Sequence, residues 1–217
     1  MTASTPRLKL TEIFRSLQGE ADTAGIPTVF VRLTGCPLRC VYCDTAYAFT
    51  GGNWWSLPDV LQHVAALNTR HVCVTGGEPL AQAAVHPLMQ ALCEAGHRVS
   101  LETSGAMALS EVDPRVIKIV DVKTPASGEE RRNRYEDFVY LQRQDWLKFV
   151  IADRADYEWS RTQVQSRALT ARCGVLFSPS HEVMAPGMLA DWILADQLDV
   201  RLQVQLHKYL WGNVPGK

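Results

Sequence analysis

Three cysteines, Cys36, Cys40 and Cys43, stand within the stretch "GCPLRCVYCDT" from Gly35 to Thr45. An odd number cannot all pair as disulfides, and a structural zinc site takes four ligands. A cubane iron–sulfur cluster is held by cysteine thiolates and has four irons to ligate. Three cysteines would serve three of them and leave the fourth open to a small molecule. Two other readings stay open. The spacing i, i+4, i+7 is also one face of a helix, which Pro37 could start, and the cysteines would then be core. A distant histidine, His71 or His207, could instead complete a zinc site in a non-enzymatic zinc-binding module. The remaining cysteines are scattered, and Cys73 and Cys93 lie in apolar contexts that suit small core residues.

Other chemistry-bearing residues lie close by. Arg32 sits inside the apolar run "VFVRL". A buried guanidinium is costly unless an anion satisfies it. That anion is either a ligand or a structural carboxylate such as Glu20 or Asp44. Gln18 and Glu20 offer a donor and acceptors just before Gly25, where turn or helix capping is the alternative use.

Elements that would position these groups follow from periodicity. Strand patterns occur at Thr28–Gly35, His71–Gly77, "RVSLETSG", Val116–Pro125, Asp145–Ile151, "GVLFSPS" and "DVRLQVQLHKYL". Between them, Leu57–Leu67, Val85–Gly96, Tyr157–Ala168 and "MLADWILADQL" have helical spacing. The charged stretch "GEERRNRYED" reads as a solvated loop. Strands alternating with helices argue for parallel βαβ units. About seven strands fall short of a full (β/α)₈ barrel. The expected fold is therefore an α/β, incomplete TIM-like barrel formed by one domain, 1–217; a doubly wound sheet is the competitor. The chain has 217 residues, 47% of them apolar and 21% charged, with a net charge of −1. That composition suits a globular protein and gives no bulk attraction to nucleic acid or to an anionic membrane. Without an apolar signal core or a membrane-length segment, a cytoplasmic location is expected.

Polar and glycine-rich clusters follow the strands: the cysteine loop, "TGGEP", "ETSG", "DVKTP" and "SPSH". In parallel α/β folds the C-terminal strand ends share one rim, where active sites lie. Turns alone explain the glycines and prolines. They do not explain Glu78, Glu102, Asp121 and Lys123 beside them.

The pattern C-x3-C-x-aromatic-C, met by Cys36, Cys40, Tyr42 and Cys43, resembles the radical S-adenosylmethionine (SAM) superfamily. Gly76, Gly77, Glu78 and Pro79 match its G-G-E-P element. The resemblance implies a partial barrel, a [4Fe–4S] cluster on the three cysteines, and SAM chelating the open iron, from which a 5′-deoxyadenosyl radical arises. "FRSLQGEADTAGIPTVFVRLTGC", "CDT", "TGGEP", "ETSG" and "QLHKYLWG" are similar to the 7-carboxy-7-deazaguanine synthase family of the queuosine pathway. This closer resemblance implies ring contraction of 6-carboxy-5,6,7,8-tetrahydropterin with loss of ammonia. It places Leu17, Gln18, Gly19, Glu20, Thr75 and His207 on the pterin and Arg32 on its carboxylate. It places Tyr42, Gly76, Gly77, Glu78, Ser104, Asp121, Lys123 and Ser178 around SAM, and Thr45 on a Mg²⁺ ion. A single threonine suits Mg²⁺ only if substrate and water complete the shell. The family reading also implies a flavodoxin or ferredoxin as reductant and a homodimer. Three positions depart from the pattern. Ala21 stands where a glycine often follows L-Q-G-E, "DVKTP" replaces an S-P-K form, and "WGNVPGK" extends past "HKYL". A glycyl-radical-enzyme activating enzyme is the rival within the superfamily, but it would act on a protein backbone and would not need Arg32 and Gln18–Glu20.

The cluster assignment makes a direct prediction. Replacing Cys36, Cys40 or Cys43 by Ala should abolish the iron chromophore and all SAM cleavage. Replacing Cys73, Cys93 or Cys173 should leave both. Wild-type iron content in Cys40→Ala would refute the assignment.

Overall fold

The computed structural model describes residues 6–214, 216 and 217. Met1 to Thr5 of the N-terminal stretch, and Pro215 of the tail, lie outside the described residues. Nine strands form one sheet: β1 (Arg7–Leu17), β2 (Pro27–Leu33), β3 (Asn53–Ser56), β4 (His71–Gly76), β5 (Arg98–Thr103), β6 (Ile117–Val122), β7 (Trp146–Ile151), β8 (Gly174–Pro179) and β9 (Arg201–Leu202). Five helices accompany them: α1 (Leu57–Ala66), α2 (Val85–Glu94), α3 (Arg154–Ser166), α4 (Pro186–Ala195) and α5 (Leu206–Trp211). The strand order is β3-β1-β2-β4-β5-β6-β7-β8-β9. From β2 to β9 neighbours run parallel, while β1 is antiparallel to both β2 and β3. This is an incomplete TIM-like barrel. Among the described residues, no helix is long and apolar enough to cross a membrane.

Period-two burial sets the two faces of the sheet. In β7, Leu147, Phe149 and Ile151 are fully buried against the helical layer, whereas Trp146, Lys148 and Val150 are only partly buried. Two helices carry side-chain caps: the Ser56 side chain accepts from the Asp59 amide at the start of α1, and Asp153 accepts from that of Asp156 at the start of α3. Tyr157, also fully buried, donates to Asp196 at 2.7 Å and so ties α3 to the end of α4. At the end of the barrel opposite the rim, buried Lys118 meets buried Asp145 at 3.0 Å, with Asp145 also accepting from the amides of Lys118 and Gln142. A buried ion pair satisfied this fully is structural.

Three sequence expectations are corrected. Strands β1 and β3 were not anticipated, although Leu8 and Leu10 alternate with Arg7, Lys9 and Thr11. The final strand is only Arg201–Leu202, and "LHKYLW" is a short helix. Val200 packs against the core, but beyond it Leu202 and Val204 are exposed while Gln203 is buried. An edge strand with one neighbour gains little from alternation, and polar contacts made by Gln205 and Lys208 decide the conformation instead. The stretch "GEERRNRYED" is two short 3₁₀ turns rather than an open loop. Within it, the Asn133 side chain bonds both the amide and the carbonyl of Lys123.

Backbone packing fixes the cysteine loop. Gly77 donates to the carbonyl of Leu33 and Glu78 to that of Gly35. A Cβ on Gly76 would lie 2.2 Å from the Leu33 oxygen, and one on Gly77 2.2 Å from the Gly35 oxygen. Gly76 also has φ +144°, which side chains disfavour. The glycines therefore admit the neighbouring strand end while remaining on the cavity wall. Gly76→Ala should lower the melting temperature by about 5 °C or more and reduce iron incorporation even though every cysteine remains. Unchanged melting and iron content would show that the contact is dispensable.

Candidate active site

Residues from nearly every strand end line one cavity of about 760 Å³, within the usual range for a small-molecule site. Two chemically different walls meet in it.

One wall is sulfur and glycine. Cys36, Cys40 and Cys43 lie in a loop rather than a helix, all free and all partly buried. Burial raises the thiols of Cys36 and Cys40, Cys43 adds to both, and the Lys123 ammonium opposes the rise. Among the described residues, no three His, Cys, Asp or Glu side chains converge on a point that would hold a single ion. All three thiols line the same cavity, which suits a [4Fe–4S] cluster, in which each thiolate takes its own iron. Tyr42, Gly76, Gly77, Ser104, Asp121, Lys123 and Ser178 line this region. Tyr42 reaches Thr124 at 3.3 Å, and Lys123 pairs with Asp121 at 3.0 Å. Burial opposes the charge on Lys123, but Asp121 outweighs it and raises the ammonium well above its ordinary value.

Glu78 does not line the cavity. It is fully buried, and its carboxylate accepts from the amides of Leu80 and Ser104 and from the hydroxyls of Thr103 and Ser104. This corrects the expectation of a direct SAM contact. Glu78 braces β5 against β4 and so holds the Ser104 turn behind the cavity wall.

The other wall is charged. Arg32 is mostly buried, between the rings of Phe14 and Tyr47. Its structural carboxylate is neither Glu20 nor Asp44 but Glu12, 2.7 Å from Nε. Tyr47 also donates to Glu12. Among the described residues the two terminal nitrogens of Arg32 carry no partner, which leaves the bidentate fork free for a carboxylate. Gln18 donates to Glu102 at 3.2 Å and Thr75 donates to the same carboxyl at 2.8 Å. Burial raises Glu102, and nearby Glu20 raises it further. Glu20 accepts from Gln205 at 2.8 Å and pairs with Lys148, which lies 3.7 Å from Asp121. Leu17 completes this wall.

Helix α5 closes the mouth. Leu206 donates to the carbonyl of Gly19. A Cβ on Gly19 would lie 2.0 Å from Nδ1 of His207. Gly19 is thus the seat of His207, not a lining residue as expected, and it is His207 that faces the cavity. Lys208 pairs with half-exposed Asp44 at 2.7 Å, and together with Gln205 it holds that carboxyl well below the usual range, against partial desolvation. Thr45 donates to Asp44 at 2.9 Å. With its proton engaged, the Thr45 oxygen presents lone pairs to the cavity, which suits one protein ligand of a Mg²⁺ ion completed by substrate and water. Gly212, Asn213, Val214, Gly216 and Lys217 of the tail also line the cavity.

The residues that sequence reasoning missed are Glu12, Tyr47, Lys148 and Lys208. Glu12 lies on the unanticipated β1, and Lys148 resembles any strand lysine. Only the register, which sets Lys148 beside Asp121, reveals its place.

Comparisons with known proteins agree with this geometry. The Radical SAM superfamily model matches residues 30–121. The 7-carboxy-7-deazaguanine synthase of Koribacter versatilis is 45% identical over 219 residues, covering 94% of this chain and 97% of that relative. The synthase of Chlorobaculum tepidum is 40% identical over 215 residues, covering 98% and 97%. The crystal structure of QueE from Escherichia coli superposes with a TM-score of 0.76 at 23% identity, covering 93% of this chain and 95% of that one, and supports the fold. With 40% and 45% identity to these synthases over nearly the full length and with the superfamily's cysteine loop facing its cavity, the chain belongs to the 7-carboxy-7-deazaguanine synthase family of radical SAM enzymes.

Proposed function

We propose that this enzyme converts 6-carboxy-5,6,7,8-tetrahydropterin to 7-carboxy-7-deazaguanine with loss of ammonia, in queuosine biosynthesis. One observation carries the reading: the thiol wall and the Arg32–Glu20–Glu102 wall line the same cavity. A glycyl-radical activating enzyme would have no use for a buried carboxylate fork of that kind.

When bound, the [4Fe–4S] cluster and SAM supply the one-electron chemistry that removes the hydrogen from C6. The chain's own residues position and stabilise. The free fork of Arg32 holds the substrate carboxylate, and Glu12 holds Arg32 in place. Thr45, oriented by Asp44, would give one oxygen to a Mg²⁺ ion, which would supply charge neutralisation for the carboxylate. Gln18, Glu20 and Glu102 meet the N–H groups of the pterin, with Thr75 orienting Glu102. Tyr42, Gly76, Gly77, Ser104, Asp121, Lys123 and Ser178 contact SAM. His207 covers the substrate from α5. Such fixed donors and acceptors act by orientation and by preorganised electrostatics. The reading includes a flavodoxin or ferredoxin as electron donor, a homodimer and a cytoplasmic location. Exposed Leu202, Val204, Tyr209 and Leu210 at the sheet edge support a second copy as partner.

Two experiments follow. In anaerobic assays with dithionite, SAM and the carboxytetrahydropterin, Arg32→Ala should still cleave SAM slowly without coupling, while pterin turnover falls by a factor corresponding to about 2–5 kcal/mol. Normal turnover with unchanged KM would mean the carboxylate is held elsewhere. Deleting His207 to Lys217 removes His207 and the Lys208–Asp44 pair but no cluster ligand. Iron content should persist and product formation should vanish. Full product formation would place the tail outside the site.

A further inference from the structure

Lys148 is a charged residue on the cavity wall to which neither the motif match nor the family resemblance gives a role. Its position in β7 turns it away from the helical layer, opposite Asp121 of β6 and Leu176 of β8. The ammonium sits between the two walls. It pairs with Glu20 on the substrate side and lies 3.7 Å from Asp121 on the cofactor side. Among the described residues, Glu20 is the one hydrogen-bond acceptor of Nζ; even with a second N–H turned to the otherwise unpartnered Asp121 Oδ1, a third donor remains unspent in the cavity. Glu20 is already satisfied without it, since its second oxygen accepts from Gln205. Burial disfavours the charge, but Asp121, Glu20 and Glu102 outweigh it and hold the ammonium protonated. A group of this kind is a fixed cation with a spare donor, not a proton shuttle.

A donor left over inside a site calls for an acceptor. The flanking carboxylates of Glu20 and Glu102 accept and therefore match N–H groups. A donor beside an acceptor matches an amide edge, a carbonyl next to an N–H. Resting on the function proposed above, we infer that Lys148 is a substrate-contacting specificity residue whose ammonium donates to the ring carbonyl oxygen of the pterin while also holding Glu20. It selects a 4-oxo ring over a 4-amino ring, because the amino group would bring a donor against a donor.

The test compares two fluorescent, non-turnover probes, 6-carboxypterin and its 4-amino counterpart, 2,4-diaminopteridine-6-carboxylate. Dissociation constants are measured on the reconstituted protein by fluorescence titration. The wild type should favour the 4-oxo probe by about ten- to hundredfold, the worth of one charged hydrogen bond. In Lys148→Met that preference should fall towards unity, with iron content as the control for folding. Should the unpaired Glu20 prevent Lys148→Met from folding, the comparison is Glu20→Gln, where Asp121 remains beside Lys148, against Glu20→Gln/Lys148→Met, where both charges are gone. The preference should then survive the first variant and collapse in the second. A lysine that merely neutralised Glu20 would leave the preference intact in Lys148→Met, or equal in the two Glu20→Gln backgrounds. Either result overturns the inference, as does a wild type that binds both probes alike. Turnover of the carboxytetrahydropterin by the wild type is measured alongside. Its failure would count against the proposed function, whereas normal turnover with an unchanged preference in Lys148→Met would count against Lys148 alone.

Discussion

Charge compensation inside a hollow sheet is the constraint on which this structure depends. The incomplete barrel leaves its inner face lined by Glu20, Glu102 and Asp121, with Arg32, Lys123 and Lys148 among them. None of these charges could be buried alone, because the desolvation of an unpaired ion exceeds what packing returns. Each carboxylate therefore has a named donor, and each cation a carboxylate. Arg32 has Glu12, Lys123 has Asp121, and Lys148 has Glu20. The pairing is incomplete in a useful way. It gives each charge a partner but leaves the fork of Arg32 and a donor of Lys148 open, so a ligand can bind without first dismantling the network.

The same economy explains how distant segments meet. Asp44 follows the last cluster cysteine and is bonded to Gln205 and Lys208 near the chain's end. Glu20 joins β1's loop to β7 and α5. Polar contacts, rather than an apolar seam, fasten α5 over the mouth, and this leaves the outward apolar residues of that region exposed. The cysteine loop is fixed differently, by direct backbone contact with the glycines that end β4. Loop precision and mouth closure thus rest on separate interactions.

Much of this was legible in the sequence. The cysteine spacing, "TGGEP", "ETSG" and the placement of polar clusters after strands identify the rim, because strand ends in parallel sheets share one edge. The central strands and four longer helices follow from periodicity. What failed has physical causes. "VRLQVQL" alternates like a strand, but its edge position and the bonds of Gln205 and Lys208 override the pattern. Gly19 and Glu78 match motifs yet act one layer behind the wall, as the seat of His207 and the brace of Ser104. Glu12 and Lys148 carry no local signature, since their importance comes from register across strands.

The central claim is that one cavity seats the pterin's C6 against the adenosyl carbon of SAM. Turnover of substrate deuterated at C6 tests it most directly, with the isotope followed by mass spectrometry in the SAM pool and in the product. The account predicts deuterium in recovered SAM, with SAM not consumed in proportion to product. Product formed with the deuterium lost to solvent and none in SAM would contradict it.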